Sequence, residues 1–250
     1  MTGSPFHAPA ALAACLFLAA CAGHSTAAGP VPQAPEAITL TDAARGRDVP
    51  VLLYGVAKRP RPLALVSHGY GGRNSAYSFI ARHLAARGFV VASVQHELPG
   101  DAALPTEGEP AVVRRPSWAQ GARSLVFVAE TLRARGVAAG GAVVLVGHSH
   151  GGDTSLLLAA EQPDFARAVF TLDSRRMAFP RTAAPRICSV RSSDQVADPG
   201  VLPDAAEAAR LGMVILAVPG LAHNDMWDGA TEAQKQAVLA ALDRCLGPER

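Results

Sequence analysis

AVVLVGHSHGGDTSLLLAA, residues 142–160, decides how this chain is read. Five apolar residues, Ala142–Val146, predict a buried strand, and the leucine run after Asp153 predicts a helix. Between them lies Gly147-His148-Ser149-His150-Gly151, which fits two chemistries. As G-x-S-x-G it places Ser149 on a tight strand-to-helix turn with its hydroxyl exposed as a nucleophile. As H-x-H-x-x-D it offers His148, His150 and Asp153 to a metal. The second reading requires the two imidazoles to converge. They straddle the point where the strand gives way to the helix, so they are expected to diverge. No His/Cys/Asp cluster elsewhere supplies further ligands in a recognisable spacing. A metallohydrolase using His148, His150 and Asp153 is therefore the lesser alternative, and no cofactor is expected.

Outward from this turn, apolar strands alternate with helices. Strands are expected over Ala37–Thr41, Asp48–Tyr54, Leu63–Ser67, Phe89–Val94, Ala142–Val146, Ala166–Leu172, Arg186–Val190 and Met213–Val218. Helices are expected after a cap at Asn74, from Ser117 to Arg135, from Ser149 to Ala160, over Pro203–Leu211 and over Thr231–Leu246. This alternation specifies an α/β domain with a mostly parallel central sheet and helices on both faces. The 250 residues are 49% hydrophobic, enough for one sizeable core. The net charge of +2 and the absence of like-charge blocks argue against a nucleic-acid partner. The one long loop, Gln95 to Pro116, leaves a strand at the edge where ligands bind in open α/β sheets.

A nucleophilic serine needs a base, an acid and an oxyanion hole, in the chain order Ser, Asp, His. His223, in PGLAHNDMWD after the last strand, is the expected base. Asp194, in RSSDQVAD, and Asp173, in LDSRRMAFP, are the candidate acids, with Asp198 a weaker third. The oxyanion donors are expected to be the backbone N–H groups of His150 and of Tyr70, in SHGYGG. His68 is expected to organise that loop and His148 to shape the turn.

From about Ala37 to the C-terminus the chain resembles an α/β-hydrolase close to platelet-activating-factor acetylhydrolases and dienelactone-hydrolase-like esterases. SHGYGGRNSAYSFIARHLAARGFVVASVQHE is similar to their oxyanion loop and first helix, and GHSHGG to their elbow. The resemblance implies an α/β-hydrolase fold and a serine esterase cleaving small-molecule or lipid-like carboxylic esters. Too few residues separate Leu172 from Arg186 for a cap domain. LDSRRMAFP is similar to the acetylhydrolase acid segment, and RSSDQVAD to the later acid position of other hydrolases. Asp194 is preferred by a narrow margin, with Asp173 as the alternative. Arg175-Arg176 replaces the aromatic of the acetylhydrolase pattern, which puts a phospholipid substrate in doubt.

The apolar run APAALAACLFLAA, residues 8–20, has signal-peptide length, and Leu18-Ala19-Ala20-Cys21 resembles a bacterial lipobox. Residues 1–20 are expected to be a lipoprotein signal peptide. Cys21 is the expected lipidation site, residues 21–36 a flexible spacer and 37–247 the hydrolase domain. This implies export and attachment to a bacterial envelope membrane through an N-terminal lipid. Cys188 and Cys245 then remain as candidates for a disulfide. A rival to the enzyme is a non-catalytic, lipid-anchored binding protein on the same fold.

Overall fold

In eight short segments side chains point alternately to the two faces of one sheet, and this period of two builds it. The computed structural model describes residues 1–3 and 34–248. Residues 4–33, with the apolar run, Cys21 and most of the expected spacer, lie outside the described residues. The described fold belongs to the unit that runs from Pro32 to Arg250. Glu36, read as the end of the spacer, instead opens the first strand.

The strands are β1 (Glu36–Asp42), β2 (Arg47–Tyr54), β3 (Leu63–Ser67), β4 (Val90–Val94), β5 (Val143–His148), β6 (Ala166–Leu172), β7 (Arg186–Arg191) and β8 (Val214–Ala217). They form one sheet in the order β1-β2-β4-β3-β5-β6-β7-β8. β1 and β2 pair antiparallel, as do β2 and β4; every other pairing is parallel. The helices are α1 (Ser78–Ala86), α2 (Pro110–Val113), α3 (Arg115–Ala134), α4 (His150–Glu161), α5 (Ala205–Arg210) and α6 (Glu232–Leu246).

Leu63, Leu65, Val143 and Leu145 face α3 and α4, whereas Ala64, Val66, Val144 and Val146 face α1 and α6. Strands buried on both faces must be apolar throughout, which is why β3, β4 and β5 read as unbroken runs. α3 meets its layer through Trp118, Ala122, Leu125, Ala129 and Leu132, spaced three and four apart as one helix face requires. Fully burying one such leucine contributes roughly 1.5–3 kcal/mol. On the opposite face Cys188 of β7 and Cys245 of α6 are joined by a disulfide, their Cα atoms 5.9 Å apart.

One expected cap is different. α1 starts at Ser78 rather than after Asn74, because Asn74 is tied to the end of β4. Its N–H donates to Gln95 Oε1 (3.0 Å), and its carbonyl accepts from Ser93 Oγ (2.6 Å). The carboxylate of Asp228 takes over the cap, accepting from the N–H groups of Ser78 and Phe79 at 3.0 Å each. This docks the segment after His223 against the start of α1.

Strand order reverses direction about the β3–β5 pair, which opens a crevice at the C-terminal ends of these two strands. The 142–160 turn lies there.

Candidate active site

β5 ends at His148 and α4 begins at His150, so Ser149 alone makes the turn. It does so at φ 50°, ψ −116°, a region that costs a non-glycine residue on the order of 1–3 kcal/mol. The surroundings hold it there: Ser149 N–H donates to Leu172 O (2.8 Å), and its carbonyl accepts from Asp153 N–H (2.9 Å). Gly147 and Gly151 let strand and helix meet. A Cβ on Gly147 would sit 2.3 Å from the Gly151 carbonyl oxygen, and one on Gly151 would sit 2.4 Å from that of His68.

Ser149, His223 and Asp173 lie in one hydrogen-bonded line. His223, in a short 3₁₀ turn after β8, has Nε2 3.0 Å from Ser149 Oγ and Nδ1 2.6 Å from Asp173 Oδ2. Because the carboxylate accepts, Nδ1 carries the proton and Nε2 is free to accept from the serine hydroxyl. Asp173, fully buried just past β6, also sits at a positive φ, 52°. Its carboxylate further accepts from Ser192 N–H (3.1 Å), Ser192 Oγ (2.9 Å) and Arg191 Nη2 (2.8 Å). Burial alone would raise its pKa. The His223 hydrogen bond, the Arg191 charge and the two Ser192 donors together outweigh burial and hold it below the ordinary carboxylate value.

The preference for Asp194 is corrected here. Asp194 does reach His223, but at the backbone: its Oδ1 accepts from the His223 N–H at 2.7 Å. That bond lowers its pKa, and its side chain is exposed. The end of β7 spends its inward positions on Arg191 and Ser192, so the chain has turned outward by residue 194. Asp198 pairs with Arg176 Nη1 (2.7 Å), while Arg175 Nη1 donates to Gln195 Oε1 (2.5 Å). Both arginines of the 175–176 pair are thus engaged.

The histidines of the elbow do not converge. His148 Nε2 is 3.0 Å from the carbonyl oxygen of His223, which can only accept, so Nε2 carries the hydrogen. Nδ1 then accepts from Tyr77 Oη (2.7 Å), which in turn accepts the N–H of Gly69 (3.3 Å). Donation runs from Gly69 to Tyr77, from Tyr77 to His148 and from His148 to the His223 carbonyl, which joins the loop after β3 to the loop carrying His223. Burial, then the neighbouring His223, push His148 down to about 3, so it stays neutral. His150 turns to the other side, where Trp118 Nε1 donates to its Nδ1 (3.1 Å) and Ser117 Oγ lies 3.1 Å from Nε2. Asp153 accepts from the backbone N–H groups of Arg176 (3.3 Å) and Met177 (3.1 Å). It therefore pins the segment after Asp173 to α4. Among the described residues no group of three or more His, Cys, Asp or Glu is placed to hold a metal ion. His68 organises its loop: Nδ1 donates to Gly69 O (2.8 Å), and Nε2 accepts from His96 N–H (3.0 Å).

Tyr70 stands between two cavities. One, of about 300 Å³, lies under the 95–116 loop and is lined by Tyr70, Glu97 and His150 among others. The other, of about 510 Å³, is lined by Gly69, Tyr77, His148, Asn224 and Trp227 as well as Tyr70. Gly69 places the loop beside the serine: a Cβ there would be 3.5 Å from Ser149 Cβ.

Arg191, Ser192 and Tyr77 were not anticipated as site residues. An arginine closing the buried stretch of β7 was the available sign of the first. Nothing in local spacing marks Tyr77, because its partner His148 is distant in sequence.

Residues 58–172, from just before β3 to the end of β6, match the family described as serine aminopeptidase, S33. No curated protein matches the chain in sequence. Solved structures do match over most of its length. The ferulic acid esterase of Streptomyces cinnamoneus is 20% identical with a TM-score of 0.64, covering 87% of this chain and 91% of its own. An α/β serine hydrolase without lid from Xanthomonas campestris is 19% identical with a TM-score of 0.57, covering 86% and 96%. The dienelactone hydrolase of Anabaena variabilis is 15% identical with a TM-score of 0.57, covering 86% and 98%. The sheet order, the turn at the end of β5 and these likenesses show that the chain has the α/β-hydrolase fold.

Proposed function

We propose that this protein is a serine hydrolase that cleaves carboxylic esters by two-step acyl transfer. The observation that carries the reading is the unbroken line from Ser149 Oγ through both nitrogens of His223 to Asp173. Ser149 is the nucleophile, His223 the base and Asp173 the acid. His223 takes the hydroxyl proton as Oγ attacks the ester carbonyl. The oxyanion so formed faces the backbone N–H of His150, the first residue of α4, and that of Tyr70. The helix N-terminus adds a favourable field for negative charge. His223 next protonates the leaving alkoxide, then deprotonates a water that releases the acyl group from Ser149. Asp173, ionised and buried, stabilises the imidazolium in both steps.

The named activities of the structural relatives, ferulic acid esterase and dienelactone hydrolase, support an ester substrate. The Xanthomonas hydrolase has no lid, and the short connection between β6 and β7 leaves no room for one here either. For location, we infer an exported lipoprotein, acylated at Cys21 after removal of residues 1–20 and tethered through the spacer. The order of apolar run, small residues and Cys supports this, and the Cys188–Cys245 disulfide suits an oxidising compartment.

A fluorophosphonate probe should label the wild-type protein and leave Ser149→Ala unlabelled, with ester turnover lost in the same variant. An unlabelled wild type that still binds esters would instead favour the non-catalytic, lipid-anchored binding protein. Activity abolished by a chelator and retained in Ser149→Ala would favour the metal reading of His148, His150 and Asp153.

A further inference from the structure

We propose that the 300 Å³ cavity under the 95–116 loop is a subsite for a neutral, hydroxyl-bearing part of the substrate, recognised by Glu97 and His96. This rests on the hydrolase reading and names the substrate class that reading leaves open. Two of its lining residues are Tyr70 and His150, the proposed oxyanion donors, and His150 follows Ser149 directly in the chain. It is preformed rather than a gap under a loose loop. Arg47 of β2 clamps the loop, with Nη1 and Nη2 on the two carboxylate oxygens of Asp101 at 2.7 Å each and Nη2 also on the His96 carbonyl at 2.6 Å. Leu104 N–H donates to Tyr70 Oη at 3.2 Å and closes the loop over the elbow.

The chemistry of the lining is uneven. Ala102, Ala103, Leu104, Pro105 and Val113 give it an apolar wall. Two buried polar atoms of other lining residues, His96 Nδ1 and Glu97 Oε1, have no hydrogen-bond partner among the described residues. His96 is only 8% exposed, and its Nδ1 lies 3.2 Å from where a Cβ on Gly121 would sit, with Thr154 alongside. Gly121 and Thr154 both line the same cavity, so this nitrogen lies beside two residues of its wall. Its other nitrogen is already engaged with Ser67 Oγ (2.9 Å). Glu97 uses Oε2 on the Gly71 N–H (3.2 Å), which leaves Oε1 for a ligand. Burial lifts this carboxyl to about 7, and a hydroxyl can donate to its ionised form or accept from its protonated form. The lining contains Glu97 and Asp101 but neither lysine nor arginine, which disfavours a carboxylate or phosphate. A carbon skeleton carrying a hydroxyl satisfies both the apolar wall and the unpaired atoms. A site built this way discriminates strongly against the same ligand without the hydroxyl.

The test uses the full chain carrying Ser149→Ala, which binds esters without turnover, and matched ester sets. One set carries a hydroxyl in the acyl half, one in the alcohol half, and each has a deoxy and a carboxylate counterpart. In at least one half the hydroxyl ester should bind about tenfold more tightly than its deoxy counterpart, and the carboxylate more weakly still. Adding Glu97→Leu should remove the preference, and Glu97→Gln should retain part of it. Equal binding of hydroxyl and deoxy esters in both halves overturns the proposal, as does equally tight binding of the carboxylate. Turnover of the deoxy esters by the wild type tests the hydrolase reading separately: a hydroxyl preference without turnover would sink that reading and leave the subsite standing.

Discussion

Asp173 and Asp194 both reach His223, one at the ring and one at the backbone, and this difference separates their expected effects. Asp173→Asn should keep the shape of the site but lose the carboxylate that fixes the His223 tautomer and faces the imidazolium. A fall in kcat of about 10³–10⁴-fold is expected, with KM little changed. Asp194→Asn retains an acceptor for the His223 N–H and should fall by no more than about tenfold. Steady-state kinetics on the two variants decide it, and equal losses would overturn the assignment. The sequence displayed both candidates because two successive strands are each followed within three residues by an aspartate. Chain order admits either; what excludes Asp194 is the inward placement of Arg191 and Ser192, a matter of strand register. LDSRRMAFP resembles one acid segment and RSSDQVAD another, so the resemblance by itself leaves the choice between them open.

At the scale of elements, the eight strands were legible as apolar runs bounded by turn residues, to within a residue or two. Less legible was what secures their ends. Asp228 caps α1 from the far end of the chain, and local spacing cannot announce such a partner. The disulfide between β7 and α6 belongs to the same class of long-range restraint. It closes a loop of sequence separation 57, within which Asp194 and His223 fall. By the chain-entropy account such a crosslink contributes about 4 kcal/mol. The pair Cys188→Ala and Cys245→Ala should therefore unfold at lower urea, with an apparent Tm reduced by roughly 10 °C. An unchanged midpoint would show that packing of Val238 and Leu242 alone holds α6 in place.

For the whole molecule, stability against pH sums groups of opposite sign. Asp173, its pKa depressed, contributes stability that is present above its unfolded value and lost as pH falls through the folded one. Asp153 acts the other way. Full burial raises it from 3.8 to about 7, so the folded state holds a proton that the unfolded state has released. Its effect on stability is therefore unfavourable across the interval between those values and constant above it. Asp153→Asn keeps an acceptor for the Arg176 and Met177 N–H groups without the buried charge. The variant should gain on the order of 1–2 kcal/mol at pH 8 and little at pH 4. Urea unfolding at the two pH values measures this, and a larger gain at pH 4 would reverse the sign argued here. The class of fold and the place of the crevice followed from the alternation of strands and helices. The cavities did not, because they depend on how the 95–116 loop is clamped by Arg47, a residue the sequence places two strands away.

The donor chain from Gly69 through Tyr77 and His148 to the His223 carbonyl has a consequence for proton traffic. The rings of His148 and His223 lie 4.8 Å apart, yet no nitrogen of one is hydrogen-bonded to a nitrogen of the other. The single basic nitrogen of His148 is occupied by the tyrosine hydroxyl. In the proposed mechanism, a proton captured by His223 thus has no exit on that side and stays available for the group that must next receive it. His148 serves as an insulator rather than a conductor, and the histidine before the nucleophile helps by being unable to take the charge.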